Sequence, residues 1–104
     1  MKHRVIAKDE AKELIAELRA MAGLERGPDP KRLARAKEIR FQLEGQEWAS
    51  LWMREKLDEV YRHLEVLLSA RRWRELMSID AVRSEIKGIC SRFSRVLSER
   101  TRAV

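Results

Sequence analysis

The sequence predicts an all-α protein that forms a single helical domain over residues 1–104. Only four glycines, two prolines and no asparagine are present, so the chain lacks the turn residues that an all-β domain of this size requires. Apolar residues make up 44% of the chain, a share that is typical of a folded domain. They recur at intervals of three and four residues, the period of one helical face. We therefore expect three helices.

The first helix is predicted over residues 5–22. Asp9 and Glu10 lie near its start, where negative charge favours the positive end of the helix dipole. Gly23 is a natural stop, because glycine adopts the left-handed cap conformation without strain. The apolar stripe of this helix consists of Ala7, Ala11, Leu14, Leu18 and Met21.

A turn is predicted over residues 23–29, and a long central helix over residues 30–68. Pro30 suits the first position of that helix, and the carboxylate of Asp29 suits the capping position before it. From Pro30 to Leu67 such a helix spans about 57 Å, which exceeds the width of a compact domain of this size. We expect it to kink near Gly45 or to project from the body.

The central helix has two apolar faces rather than one. Two faces suggest that a third helix, or another subunit, covers the second of them. The polar residues Gln46 and Ser50 occupy the middle of the first face. The first face consists of Ala36, Ile39, Leu43, Met53, Leu57, Val60, Leu64 and Leu67, and the second of Phe41, Gly45, Trp48 and Trp52.

A connection over residues 69–78 leads to a third helix over residues 79–100, with an apolar repeat typical of a coiled-coil seam. We expect this helix and the central one to form an antiparallel hairpin. Gly88 inside it costs about 1 kcal/mol relative to alanine, which a close approach of another backbone would explain. The seam consists of Ile79, Val82, Ile86, Ile89, Phe93 and Val96.

No constellation of catalytic or metal-binding residues is apparent, so we expect neither an enzyme nor a cofactor. Glu59 and His63 have the wrong spacing for a di-iron bundle and are expected to form a surface pair. Cys90 has no histidine nearby and is expected to be a buried apolar residue. Zinc would require more cysteines and histidines, and no glycine-rich phosphate loop is present.

Aromatic residues supply the candidate partner interface. A domain this small has difficulty covering three tryptophans together with a heptad seam, so another chain is expected to cover some of them. The alternative for Trp48 and Trp52 is a place in the core. For Trp73 it is a role as an anchor of the turn. The predicted interface consists of Phe41, Trp48, Trp52 and Trp73.

The net charge of +6 is concentrated in the last third of the chain. Residues 71–104 contain nine basic and four acidic side chains, which suits contact with a phosphate backbone. No helix-turn-helix pattern is visible, and Glu85 and Glu99 interrupt the basic surface, so sequence-specific binding is not expected. The candidate phosphate contacts are Arg71, Arg72, Arg74, Arg83, Lys87, Arg92, Arg95 and Arg102.

A membrane partner is not expected, because no stretch approaches about 20 uncharged apolar residues and no signal peptide is visible. A single cysteine suits a reducing compartment. We therefore expect a cytoplasmic protein.

Residues 47–98 contain a tryptophan-led helix, an interruption and a second helix with an apolar-polar-glycine element. The positions that carry this pattern are Glu47, Trp48, Leu51, Leu57, Leu64, Leu68, Ile79, Val82 and the run from Glu85 to Ile89. The pattern resembles small helical proteins encoded near the portal and packaging genes of tailed bacteriophages. The sequence departs from it at residues 71–77, where the connection is longer. The resemblance implies a virion or assembly component.

Together these patterns predict a small non-catalytic module that self-associates, most simply as a homo-oligomer, or binds another protein in a larger assembly. The alternative is a nucleic-acid-associated protein that contacts phosphates through its basic C-terminal helix.

Overall fold

The computed structural model describes residues 4–23, 27–69 and 78–102, with side chains described as far as Ser98. These residues form four α-helices and no strand. The helices are α1 (Lys8–Met21), α2 (Pro30–Glu44), α3 (Leu51–Leu68) and α4 (Ile79–Arg102). The all-α class is confirmed. The prediction of three helices is wrong, because the long central helix divides into α2 and α3.

The central helix divides between Gln46 and Ser50, the two polar residues that interrupt its heptad register. Gln46 donates its backbone N–H to the carbonyl of Leu43 at 3.2 Å, and Ala49 donates to the carbonyl of Gln46 at 3.0 Å, so the chain turns twice after Gly45. The hydroxyl of Ser50 then accepts the backbone N–H of Met53 at 3.2 Å and caps α3. The helix therefore ends fully at this point instead of kinking.

The two halves of the expected central helix lie side by side. Gly27 donates its backbone N–H to the carbonyl of Leu67 at 3.0 Å, and Asp29 donates to the carbonyl of Leu68 at 2.8 Å. The start of α2 thus lies beside the end of α3, and the two helices are antiparallel. This folding back removes the need for a projecting helix.

The predicted cap of α2 is confirmed. A side-chain oxygen of Asp29 accepts the backbone N–H of Arg32 at 3.2 Å, and Pro30 occupies the first helical position. This backbone hydrogen bond, with the Arg32 guanidinium nearby, holds the pKa of the Asp29 carboxyl below its usual value.

One shared core holds the four helices together. The largest contact is between α2 and α3, followed by those of α4 with α1 and with α3, while α1 and α2 share a smaller contact. The ring centroids of Trp52 and Phe93 are 5.9 Å apart, which places the start of α3 beside the second half of α4. Burial of each large aliphatic side chain contributes about 1.5–3 kcal/mol. The buried members include Leu14, Leu18, Ile39, Leu43, Met53, Leu57, Val60, Leu64, Leu67, Val82, Ile86, Ile89 and Phe93.

Helix α1 begins at Lys8 rather than at residue 5. Ala7 has an extended backbone (φ −69°, ψ 153°) and an exposed side chain, so it is not part of the apolar stripe of α1. Residues 4–6, which we call the arm, are not helical. Their backbone groups bond elsewhere in the molecule instead of forming a first helical turn.

Two expectations for the last third of the chain are resolved. Helix α4 begins at Ile79 as predicted, and the hydroxyl of Ser78 accepts the backbone N–H of Ala81 at 3.1 Å. Gly88 is exposed, and no described atom lies within 4 Å of the position of a Cβ there, so the expected close approach of another backbone is wrong for the described part of the chain. Residues 70–77 of the predicted connection lie outside the described residues.

Candidate interaction site beneath the arm

The arm crosses the corner between α2 and α3, where three side chains meet its backbone. We call Gln42, Gln46 and Trp48 the seat. Arg4 donates its backbone N–H to Oε1 of Gln42 at 2.9 Å, and the carbonyl of Arg4 accepts from Nε2 of Gln46 at 2.7 Å. The seat therefore satisfies both backbone groups of Arg4.

Ile6 is held in the same way, two residues later. Its backbone N–H donates to Oε1 of Gln46 at 3.0 Å, and its carbonyl accepts from the indole Nε1 of Trp48 at 3.1 Å. Residues i and i+2 of an extended strand direct their N–H and C=O groups to the same edge. The seat thus contacts one edge of the arm as a neighbouring β-strand would, although it is built from side chains.

Burial makes these hydrogen bonds specific. Only 8% of Gln42 and 6% of Gln46 are exposed, and a buried amide that lacks partners is costly. Nε2 of Gln46 also donates to the backbone carbonyl of Gln42 at 2.9 Å, so the amide nitrogen uses both of its hydrogens. This pattern fixes which end of the Gln46 amide carries the nitrogen.

The arm places one side chain in the core and leaves the other two exposed. Ile6 is 1% exposed and belongs to the core, whereas Val5 is 94% exposed. A depression of about 340 Å³ lies beside the arm and is lined by all three arm residues, by Trp48 and by the corner residues Gly45, Gln46 and Glu47. The arm is therefore anchored by one aliphatic side chain and by its backbone.

The structure does not gather the predicted interface residues into one surface. Trp48 is half-buried in the seat, and Trp52 is half-buried against Phe93. Phe41 is also half-buried, but it lines a separate groove of about 400 Å³ on α2 with Ala34, Lys37 and Glu38. Trp73 lies outside the described residues.

A basic face covers part of α4. Lys87, Arg92 and Arg95 are exposed, and none of them pairs with a carboxylate among the described residues. Arg83 is half-buried, with its guanidinium 3.9 Å from the carboxylate of Asp80. Of the other candidate phosphate contacts, Arg71, Arg72 and Arg74 lie outside the described residues, as does the side chain of Arg102.

On α1–α3, by contrast, many cations are paired. Arg35 contacts Glu17 at 2.6 Å, and this hydrogen-bonded carboxylate raises the pKa of the Arg35 guanidinium. Arg40 contacts Asp58 at 3.2 Å, and Arg62 contacts the same carboxylate at 3.0 Å. The excess positive charge of the described residues is therefore least neutralised on α4.

The residues considered for catalysis do not come together. Glu59 pairs with Lys56 at 2.7 Å rather than with His63, so the expected surface pair is wrong. Cys90 is buried as predicted, and desolvation raises the pKa of its thiol to about 12. No group of three potential metal ligands occurs among residues 4–23, 27–69 and 78–98.

Sequence reasoning missed Gln42 and Gln46 as site residues. One signal was present, because Gln46 occupies a core position of the heptad register and a buried glutamine must find partners. No pattern in the sequence links it to the arm, which lies 40 residues away at Ile6.

No protein-family model matches this chain, and no curated protein or solved structure is significantly similar to it. In the part of the chain that the structure describes, no helix is both long and apolar enough to cross a bilayer.

Proposed function

We propose that this chain is a small helical interaction module that self-associates through the end of the bundle where the arm lies on the seat. One observation carries the proposal. Val5 and Leu51 are 94% and 71% exposed, and they are the only large hydrophobic residues that the described part of the chain leaves so exposed. Both belong to this end, since Val5 lies in the arm and Leu51 begins α3 directly after the corner.

The composition of this surface suits a protein interface. Trp48 lines the same depression as Val5, Leu51 follows it by three residues, and tryptophan is enriched among interface hot spots. Removing Val5 and Leu51 from water would contribute about 1.5–3 kcal/mol each.

The proposal extends to a role in a larger assembly, with the module acting as an adaptor rather than as a catalyst. The resemblance of residues 47–98 to small helical proteins of tailed bacteriophages supports a phage particle as that assembly. It supplies no residue for recognition, and the proposed interface consists of Val5, Trp48 and Leu51.

Light scattering over a wide range of concentration tests the proposal. We expect the mass to rise to that of a dimer, and Leu51→Glu to return it to that of a monomer. Ala16→Glu is the matched control, because it adds the same charge at an exposed position of α1 and should leave the mass unchanged. A monomer at every concentration, with no partner recovered in a pull-down, would contradict the proposal.

A second function, binding of nucleic acid, is favoured by three cations of α4 that form no ion pair with another described residue. Lys87, Arg92 and Arg95 are available to phosphates without first breaking an ion pair within the described residues. We expect such binding to be independent of sequence and to weaken steeply with salt, because it releases counterions.

A further inference from the structure

We propose that the seat is a binding site for an extended peptide strand, and that the strand it receives in the self-associated protein is the arm of a second copy of this chain. The inference rests on the self-association proposed above and assigns to it a structural mechanism, the exchange of arms.

The hydrogen-bonding pattern of the seat defines its ligand class. Along one edge it offers an acceptor, a donor, an acceptor and a donor, from Gln42, Gln46, Gln46 again and Trp48. This order matches the N–H and C=O groups of residues i and i+2 of an extended chain, as in recognition by strand addition. An α-helix cannot satisfy it, because its backbone groups are already paired within the helix.

The seat distinguishes among extended strands at one position. Ile6 is 1% exposed while the preceding residue, Val5, is 94% exposed. A ligand strand therefore needs an aliphatic side chain at the position of Ile6 and tolerates variation at the position before it. The arm of a second copy meets this requirement, because it has the same sequence as the arm already seated.

The connection between the arm and α1 permits the exchange. Ala7 joins them in a relaxed extended conformation with an exposed side chain, and α1 begins at the next residue. Besides its contacts with the corner, the arm makes one ion pair with a described residue, between Arg4 and Glu10 at 2.6 Å, and both side chains are well exposed. Such a pair contributes little. Release of the arm therefore breaks its hydrogen bonds to the seat and exposes Ile6, and the seat of the second copy restores both contacts.

The exchange also accounts for the exposed apolar residues. When the α2–α3 corners of two chains lie against each other and each chain places its arm on the other's seat, Val5 and Leu51 of both chains lie near the new contact. Burial of these side chains supplies a driving force that the isolated chain lacks. The exchange replaces an intramolecular contact with an intermolecular one, so it is favoured at high protein concentration.

Disulfide trapping between differently labelled chains tests the inference. Val5 and Glu47 line the same depression, so Val5→Cys in one chain comes close to Glu47→Cys in another when its arm sits on the other copy's seat. Two corners that face each other without exchange would also bring these positions together, but that contact would not require Gln46 of the chain that carries Glu47→Cys. Trapping that persists when this Gln46 is replaced therefore overturns the exchange. Mixing the two full-length variants at a concentration that gives dimers should form the cross-linked pair about tenfold or more above a mixture of Val5→Cys with Ala16→Cys. The buried Cys90 thiol does not compete.

The outcomes separate this inference from the function on which it rests. If light scattering shows dimers but the mixture does not cross-link, while the Val5→Cys, Glu47→Cys double variant closes within one chain, the arm stays on its own seat and the exchange is overturned. Self-association stands in that case. If no dimer forms at any concentration, both proposals fail. Adding Gln46→Ala to the Glu47→Cys chain should abolish trapping while circular dichroism confirms that the helices remain.

Discussion

The side-chain amide of Gln46 takes the place of a β-strand beside Ile6. Its Oε1 accepts the backbone N–H of Ile6 at 3.0 Å, and its Nε2 donates to the carbonyl of Arg4 at 2.7 Å. One amide on the α2–α3 corner thus satisfies two backbone groups of the arm, which lies about 40 residues earlier in the chain. This bridge explains why α1 begins only at Lys8.

Replacing Gln46 with alanine should destabilise the fold by about 2 kcal/mol. The N–H of Ile6 and the C=O of Arg4 lose their partner, and an unsatisfied buried backbone group costs about 1–3 kcal/mol. Water replaces part of the lost hydrogen bonding. Urea denaturation followed by circular dichroism measures the change in the free energy of unfolding. Glu47→Ala removes an exposed neighbour and should stay within about 0.5 kcal/mol of the parent. Equal losses of stability in the two variants would mean that the seat does not stabilise the arm.

The break between α2 and α3 should depend on the cap at Ser50. Ser50→Ala leaves the backbone N–H of Met53 without its side-chain acceptor and should cost about 1 kcal/mol of stability. Ser50→Asp supplies another acceptor and should retain most of it. Ser91→Ala, at an exposed position inside α4, is the control and should be neutral or slightly stabilising. Thermal unfolding followed by circular dichroism compares all three variants with the parent.

The buried thiol should make stability depend on alkaline pH. Desolvation raises the pKa of Cys90 from 9.0 to about 12 in the folded chain, so the thiol ionises earlier when the chain is unfolded. Its stabilising contribution is complete below pH 9.0 and is lost as the pH rises toward about 12, by about 1.4 kcal/mol per pH unit.

Cys90→Ala isolates this effect, since every other titrating group is common to both chains. The difference in the free energy of unfolding between parent and variant should be constant at neutral pH and should shrink above pH 9.0. A thiol reagent should also react with Cys90 only after urea unfolds the chain. Rapid reaction of the folded protein would show that the thiol is accessible.

Charge reversal on α4 should test nucleic-acid binding. Arg92→Glu with Arg95→Glu should abolish binding of duplex DNA while the helical signal is retained. The logarithm of the binding constant falls linearly with the logarithm of the salt concentration. Removing each phosphate contact should make this slope less steep by about 0.9. Fluorescence anisotropy over a series of salt concentrations measures both quantities.

The control reverses two exposed lysines of α2, with Lys31→Glu and Lys37→Glu, so the net charge changes by the same amount at a different place. We expect this control to weaken binding less and to leave the salt dependence nearly unchanged. If the Arg92 and Arg95 double variant binds as tightly as the parent, the α4 hypothesis is wrong.

Much of the fold follows from periodicity in the sequence. The buried faces of α3 and α4 are those that the heptad positions predict, from Met53 to Leu67 and from Val82 to Phe93. The cap at Asp29 also follows from local sequence, because its acceptor and the donor on Arg32 are three residues apart. These features depend on near neighbours, and the order of residue types determines them.

The tertiary structure decided where the central helix divides and where α1 begins. Gln46 and Ser50 read equally well as polar positions inside one helix or as the ends of two. The choice depends on the antiparallel packing of α2 on α3 and on hydrogen bonds to an arm about 40 residues away. The sequence alone determined the helical class and the apolar faces of the helices, because local spacing fixes them. Only folding could bring Gln46 to Ile6, because a hydrogen bond between distant segments depends on the packing of the whole bundle.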